Sequence, residues 1–289
     1  HGRPFEFYTE ASINLANDDR LLDAMVDAGF SQVFVGIESP SEESLAECKK
    51  GQNLRIDLTA CIDKMARKGL EVMGGFIVGF DCETQDIFEQ QRSFVAENPI
   101  PIAMIGLLSA LPGTALWRRL DAEGRLRSDW TGDQLMRPNF EPTMDERQLL
   151  QGYRDLMAEV YSPEAFYARC RAFIKKAPAV FSRRKFQFAE IPIALKTTYQ
   201  VGVRSPWRNE YWKLMGTMLK HNPRSLGWVI SHAIMGEHLI RYTREDVLPR
   251  IDADLASLGK PVAKNSDHQV PTRPEPRPAL VQLGLHAPA

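Results

Sequence analysis

Strand-like and helix-like segments alternate over residues 5–110, and this alternation constrains the fold more than any other feature. A short aromatic run at residues 5–8 is followed by apolar runs at residues 32–37, 71–80 and 102–108, which are typical of buried strands. The intervening segments space their apolar residues as helices do. Strands joined through helices run parallel with right-handed crossovers, so the pattern predicts an α/β fold with a parallel sheet, open or curled into a barrel.

The helices in this alternation have recognisable ends. Residues 17–19 (Asn-Asp-Asp) offer an N-cap to a first helix, and Gly29 supplies its stop. Residues 41–43 (Ser-Glu-Glu) open the next helical segment. These signals divide the first half of the chain into successive strand and helix units.

From about residue 142 the alternation stops and helices follow. Apolar spacing predicts helices over residues 145–160, over residues 163–176, and from Trp207 to about Leu239 with a break at Asn222 and Pro223. We predict four regions, which are the C-terminal part of a barrel (1–125), a connector with the first helix (126–162), a basic helical domain (163–260) and a disordered proline-rich tail (261–289).

Charge divides the chain in the same way. Residues 1–162 carry 16 basic and 27 acidic side chains, whereas residues 163–260 carry 17 basic and 8 acidic ones. The whole chain has a net charge of −1, which removes any general electrostatic case for nucleic-acid binding. Two regions with different partners are therefore expected.

Cysteine usage and hydropathy indicate the compartment. The four cysteines are scattered and form no CxxC pair, so no disulfide framework is expected and a reducing, cytoplasmic compartment fits. No apolar run reaches the length that spans a bilayer. The chain opens at His1 almost directly on a strand-like run, and we interpret it as a fragment with an N-terminal part upstream.

Polar residues stand at the ends of the predicted strands. They are Glu10, the pair Glu38 and Ser39, Asp81 and Ser109. Because the carboxyl ends of parallel strands meet at one edge, these carboxylates and hydroxyls predict a rim suited to a ligand with amine and ribose hydroxyl groups. The alternative is that polar residues simply begin where strands end.

A glycine-rich run, Gly74-Gly75-Phe76-Ile77-Val78-Gly79-Phe80, lies inside the third strand. Glycine weakens strand packing, so its presence indicates a close approach by a ligand or, alternatively, tight curvature of the sheet. The run is not a dinucleotide-binding fingerprint, because those glycines belong in the turn that opens a helix.

Metal-binding patterns are missing from this sequence. Cys48 and Cys61 fall on helical segments, where cysteine usually fills a core. His232 and His238 are six residues apart and point to different faces of a helix. We therefore expect no metal site formed by this chain alone.

The basic region interleaves aromatic and cationic side chains. This pattern predicts an amphipathic helix pair at a membrane surface, with RNA contact as a weaker alternative. A helical domain that packs on the barrel and exposes a solvated basic face is an equal alternative. The residues concerned are Trp207, Arg208, Tyr211, Trp212, Lys213, Lys220, Arg224, Trp228, His238, Arg241 and Tyr242.

Several of these motifs resemble, in order, those of cobalamin-dependent radical S-adenosylmethionine (SAM) proteins whose barrel is followed by a helical domain of unassigned role. The resemblance covers residues 1 to about 260. The matching runs are residues 8–12 (YTEAS), 36–40 (GIESP), 49–53 (KKGQN), 75–81 (GFIVGFD) and 110–114 (ALPGT), followed by Met235 and Gly236.

The resemblance implies the C-terminal part of a (β/α)6 partial barrel that holds SAM across its strand ends, followed by an α-helical domain. Glu10, Glu38 and Ser39 would meet the ribose and amino groups of SAM, and Lys50 would face its carboxylate. The adenine would lie along three further residues, which are Gly75, Ile77 and Gly79. The family's strand motif can end in glutamate where Cys82 stands here, beside Glu83, so neither residue is assigned a contact. No catalytic residue is assigned.

The resemblance also implies cofactors that this chain does not itself ligate. The family's CxxxCxxC loop holds a [4Fe-4S] cluster, which converts SAM to a 5′-deoxyadenosyl radical, and a separate upstream domain binds cobalamin. This sequence has no such loop. An electron donor such as flavodoxin or ferredoxin would reduce the cluster.

The function expected from this resemblance is methylation of an unactivated carbon, in a small molecule or in a lipid such as a hopanoid, with this fragment inactive alone. Peripheral contact with the inner face of the membrane through the basic helices would suit a lipid substrate. The alternatives are radical cyclisation or oxidation without methyl transfer, and a non-catalytic module that docks on membrane or RNA.

Overall fold

The computed structural model describes residues 5–127, 137–178 and 190–258. Within them four strands are followed by a series of helices. The strands are β1 (Phe7–Ala11), β2 (Phe30–Glu38), β3 (Glu71–Val78) and β4 (Ala103–Leu107). The α-helices are α1 (Asp19–Ala28), α2 (Glu42–Glu47), α3 (Leu58–Lys68), α4 (Asp86–Glu97), α5 (Ala115–Ala122), α6 (Glu146–Val160), α7 (Pro163–Lys176), α8 (Ile191–Tyr199), α9 (Arg208–His221), α10 (Leu226–Tyr242) and α11 (Leu248–Ser257).

The four strands form one parallel sheet in the order β1-β2-β3-β4. Helices cross between successive strands, and the described residues after β4 form helices and one isolated bridge between Leu126 and Phe140. The predicted fold class is confirmed, because an α/β region with a parallel sheet, as in the C-terminal part of a partial barrel, precedes an α-helical region.

The predicted helix ends are also confirmed. The Asp18 carboxylate accepts a hydrogen bond from the Leu21 amide (2.9 Å) at the start of α1, and Gly29 ends that helix with a left-handed φ of 105°. The Ser41 hydroxyl accepts from the Ser44 amide (3.3 Å) at the start of α2. Local sequence therefore sets where these elements begin and end.

The two faces of the sheet differ in composition. Val33, Val35 and Ile37 are fully buried in the core that α3 shares. The alternating positions of β2 place Phe34, Gly36 and Glu38 on the opposite face. Register puts Gly75 of β3 beside Gly36, and the ring of Phe34 lies over Gly75, where an added Cβ would meet it at 2.6 Å.

Helix α6 closes the edge of the sheet at β4. The hydroxyl of Tyr153 donates to the carbonyl of Ile105 (3.0 Å), and the hydroxyl of Tyr161 donates to the carbonyl of Ala103 (2.7 Å). An exposed edge strand carries unpaired backbone groups, and these two tyrosines satisfy two of them. The sheet is thereby tied to the first helix of the helical region.

Replacing Tyr153 by phenylalanine is expected to lower the free energy of unfolding by about 1–3 kcal/mol, because the buried carbonyl of Ile105 loses its donor. Urea unfolding followed by circular dichroism measures the change. Tyr8→Phe, at a tyrosine that is largely exposed, is the matched control and should be neutral. Equal stability of the Tyr153 variant and the wild type would show that this bond contributes nothing.

The helical region and the sheet share one continuous hydrophobic core, and the residues up to Leu258 form one compact unit. Arg169 of α7 is buried within it and donates to the carbonyls of Ile100 (2.9 Å) and Val160 (2.8 Å). Our boundaries at residues 125, 162 and 260 remain predictions. The predicted tail, residues 261–289, lies outside the described residues.

Candidate functional site

A cavity of about 900 Å³ lies on the glycine-rich face of the sheet. Its floor is formed by β2, β3 and β4, and includes Gly36, Gly75 and Gly106. Its far wall comes from α6 and from the end of α10. The cavity therefore joins the sheet to the helical region at one site, as concave ligand sites commonly do.

The structure brings most of the predicted SAM residues to this face. Glu38, Gly75 and Ile77 line the cavity directly. Glu10 pairs in register with Phe34, which also lines it, so Glu10 lies on the same face at the β1 side. The ammonium of Lys50 lies 2.9 Å from the Glu38 carboxylate.

The Glu38–Lys50 pair lies directly over Gly36. A Cβ atom at position 36 would lie 2.6 Å from the Glu38 carboxylate oxygen and 3.1 Å from the Lys50 ammonium, so a larger residue there would force the ends of these two side chains to move. Glu38 also has a φ of 66°, which is uncommon for a residue with a side chain. Backbone strain of this kind clusters at functional sites because the surroundings must hold it in place.

Asn53 holds this strained turn, and our sequence analysis did not assign it a role. Its buried amide donates to the carbonyls of Gly36 (3.2 Å) and Ile37 (3.1 Å), where the register between β2 and β3 shifts. A buried amide that satisfies two backbone groups fixes the conformation between them. Asn53 is the last residue of the matching run 49–53, but only the structure shows what its side chain contacts.

Ser39 and Gly79, like Glu10 and Lys50, lie outside the cavity lining. Ser39 is fully buried, and its hydroxyl accepts from the Ser41 amide (3.2 Å). The amide of Gly79 donates to the Glu83 carboxylate (2.7 Å), and its φ of 103° is open only to glycine without strain. Both residues shape the loops that follow their strands.

Glu83 organises the loop after β3. Its carboxylate accepts from the amides of Gly79 (2.7 Å) and Phe80 (3.2 Å) and from the Ser44 hydroxyl (2.8 Å). Burial raises the pKa of Glu83 to about 7, despite these donors. The family resemblance left Glu83 without an assigned contact. The structure shows that its carboxylate binds the backbone of its own loop and the Ser44 hydroxyl.

Cys82 lies on the same loop, next to Glu83, and is exposed. Desolvation by its neighbours and the Glu47 carboxylate raise the pKa of Cys82 to about 11. A thiol with such a pKa is protonated at neutral pH. Among the described residues no group of three His, Cys, Asp or Glu side chains could hold a metal ion.

The wall opposite the sheet is mostly apolar. Met157 and Tyr161 come from α6, and Leu239, Tyr242 and Val247 come from α10 and the π-helical segment Thr243–Val247 that continues it. π-helical segments occur frequently at functional sites. The cavity is therefore polar at the strand ends and apolar along the helical region.

The basic aromatic residues of the helical region divide between core and surface. Tyr211 is fully buried, and Trp228 packs on the core and donates to Glu71 (2.7 Å). Trp212 is half-exposed. The guanidinium groups of Arg241 and Arg244 each lie 5.4 Å from the ring centre of Trp207. Much of this set therefore stabilises the helices themselves.

Comparison with known proteins gives a family model and several relatives. Residues 114–250 match a domain of unknown function, DUF4070. An uncharacterized methyltransferase of Synechocystis sp. is 36% identical over 260 residues, which cover 88% of this chain and 48% of the relative. The hopanoid C-2 methylase of Rhodopseudomonas palustris is 30% identical over 253 residues, which cover 84% of this chain and 47% of that protein.

A solved structure is also similar, with a TM-score of 0.41 and 12% identity. It is the cobalamin-dependent S-adenosylmethionine radical enzyme OxsB, and the match covers 88% of this chain and 43% of that one. The chain spans about half the length of the two curated relatives described above. With the ordered motifs, the similarity to these methyltransferases over most of this chain identifies it as a member of the cobalamin-dependent radical SAM family.

Proposed function

We propose that the protein containing this chain is a radical SAM methyltransferase that acts on an unactivated carbon. The observation that carries the proposal is the Glu38–Lys50 pair above the glycine floor of the cavity. A lysine ammonium has three donors and a carboxylate has about four acceptor positions, so each group can bind its partner and a ligand together. The pair is complementary to the adjacent ammonium and carboxylate of an amino acid, which SAM carries.

The residues present fit SAM but not the other two cofactors. Glu38 and Lys50 would hold its amino acid end, Glu10 would hold the ribose, and Gly75 and Ile77 would lie along the adenine. The contacts of Ser39 and Gly79 favour positioning roles in the same site. The described residues include no group of three His, Cys, Asp or Glu side chains that could hold a metal ion, so we propose that other segments hold the [4Fe-4S] cluster and cobalamin.

The cofactors supply the hydrogen abstraction and the methyl group when bound, and this chain orients the reactants. The polar end of the cavity fixes SAM, while the apolar wall on α6 and α10 would hold the substrate and exclude water. Excluding water prevents side reactions of a reactive intermediate. An electron donor of the flavodoxin or ferredoxin class would serve the cluster.

The apolar wall favours a substrate with a large hydrocarbon part. Met157, Leu239 and Val247 offer no charged partner, and the cavity of about 900 Å³ is at the upper end of the range for small-molecule sites. The relative from Rhodopseudomonas palustris is named for methylation of a hopanoid. We propose a lipid of this kind as substrate, which would bring the protein to the inner face of a membrane. None of the described helices is long and apolar enough to cross one.

Replacing Lys50 by glutamine is expected to weaken SAM binding by roughly 10- to 100-fold, because a charge-assisted hydrogen bond to the ligand carboxylate is lost. The matched control is Lys49→Gln, which removes the neighbouring, exposed cation. Isothermal titration with SAM measures the affinity of both variants. It uses the protein encoded by the complete reading frame, with its cluster reconstituted under anaerobic conditions. Equal weakening by the two variants would remove the assignment of Lys50.

The reaction class is tested on the same preparation with a pentacyclic triterpene. A product heavier by one methylene group, together with 5′-deoxyadenosine, is the expected result. Formation of 5′-deoxyadenosine with a product of changed mass but no added carbon would instead show cyclisation or oxidation. The protein would instead be a non-catalytic binding module if it formed no 5′-deoxyadenosine under any reducing condition and if no CxxxCxxC loop were encoded upstream of His1.

A further inference from the structure

Helix α8 exposes a row of large apolar side chains, which we call the α8 stripe. Its members are Ile191, Leu195, Tyr199 and Val203, and they are 40%, 67%, 57% and 53% exposed. Val203 belongs to the π-helical segment Gln200–Arg204, which continues α8. Residues four apart lie on one face of a helix, so the four side chains form a continuous surface. Our sequence analysis predicted no helix here.

The orientation of α8 is the reverse of that of an ordinary surface helix. Thr197 is its buried residue, and the Thr198 hydroxyl is hydrogen-bonded to the Tyr211 hydroxyl (2.8 Å). A surface helix normally turns its apolar stripe to the core and its polar side chains to water. Here the threonines face the body of the protein and the stripe residues face away, so packing among the described residues does not account for the stripe.

Charge around the α8 stripe selects the partner. Residues 191–209 contain three basic side chains and no aspartate or glutamate. Two of the three, Lys196 and Arg204, each follow a stripe residue and are exposed. Neither forms an ion pair with any of the residues that the structure describes. An apolar row flanked by unopposed cations is complementary to a surface with an apolar interior and anionic groups at its border.

An aromatic residue beside the stripe supports the same partner. The indole nitrogen of Trp212 donates to the carbonyl of Gly202 (2.8 Å), which fixes the ring next to the π-helical segment. Its ring is 49% exposed. Tyr199 and Trp212 both present an apolar ring with a polar edge, which suits the boundary between hydrocarbon and water.

We propose that the α8 stripe docks the protein on a membrane that contains anionic lipids. From Ile191 to Arg204 the helical stretch is roughly 21 Å long at 1.5 Å per residue, so it would lie in the interface without spanning the bilayer. Ile191, Leu195, Tyr199 and Val203 enter the acyl boundary, and Lys196 and Arg204 contact lipid phosphates. This surface goes beyond the methyl transfer proposed above, since it concerns where the protein binds.

The test is flotation of the complete protein with vesicles of phosphatidylcholine, alone or mixed with phosphatidylglycerol. The wild type should float with the mixed vesicles, and Leu195→Glu should weaken this binding at least tenfold. Leu21→Glu, at an exposed leucine of α1, is the matched control and should float as the wild type does. Lys196→Gln/Arg204→Gln should bind more weakly and with a smaller dependence on salt.

Three results would overturn the proposal. The first is that the wild type does not float with the vesicles, and the second is that the Leu195→Glu variant floats as well as the wild type. The third is that the wild type binds no vesicles but forms a dimer, which Leu195→Glu dissociates. The last result, measured by light scattering, would assign the α8 stripe to a second copy of the chain. Flotation needs no methyl transfer, so its failure leaves the SAM-binding result for Lys50 standing, and the reverse also holds.

Discussion

Replacing His232 by alanine is expected to lower the free energy of unfolding by about 3–5 kcal/mol, because the buried Glu71 carboxylate loses one of its two partners, His232 and Trp228. His232 Nε2 lies 2.9 Å from Glu71, and Nδ1 lies 3.0 Å from the carbonyl of Trp228. A carbonyl only accepts, so Nδ1 carries a proton and donates it.

Glu71, Trp228 and His232 join the start of β3 to α10. Loss of His232 should therefore destabilise both the sheet and the helical region. Trp228 stacks on the His232 ring and donates to the second oxygen of Glu71 (2.7 Å). Urea unfolding measures the change, and His238→Ala, at an exposed histidine of the same helix, is the control, with an expected effect within about 0.5 kcal/mol. A His232 variant as stable as that control would show that Glu71 is satisfied without the histidine.

The stability of the protein is expected to depend on pH through Glu83. Burial raises the pKa of this carboxyl from 4.5 to about 7 in the folded state, so the folded protein binds the proton more tightly than the unfolded chain does. The contribution of Glu83 to the free energy of unfolding is fully present below pH 4.5 and is lost as the pH rises through 7. At about 1.36 kcal/mol for each unit of pKa, the loss is about 3 kcal/mol.

Glu83→Gln isolates this effect from the other titrating groups. Glutamine keeps an oxygen to accept from the amides of Gly79 and Phe80, but it does not ionise. The difference in unfolding free energy between wild type and variant, measured in urea from acid to mildly alkaline pH, should therefore move in favour of the variant as the pH rises. A difference that is flat, or that moves the other way, would mean that the three donors keep Glu83 ionised.

The candidate site was partly predictable. Glu38, Gly75 and Ile77 were found by motif, and parallel strands bring their ends to one edge whatever the loops do. The role of Asn53 was not predictable, because its contacts depend on how the loop after α2 folds back onto the end of β2. The positive φ of Glu38 was hidden for the same reason, since no local signal marks a strained residue that its surroundings hold.

Helix α8 could not be predicted from its local sequence. Its apolar residues face outward and its threonines face inward, so the periodicity that marks an amphipathic surface helix points away from the body of the protein. Pro192 and the glycine at position 202 also suggest a loop when they are considered alone. Only the contacts with Tyr211 and Trp212 show that this segment is a helix whose stripe residues are exposed in the described part of the chain.

The sequence by itself determined the alternation of strands and helices, the capped ends of α1 and α2, and the glycine-rich third strand. Each of these follows from residues within a few positions of one another, where caps, turns and apolar periodicity act. Tertiary structure alone decided the pairing of Glu71 with His232, 161 residues apart, and the joining of the α10 wall to the strand ends in one cavity. Such contacts depend on how whole elements pack, because the free energy of burial is shared among many residues and no single segment encodes it.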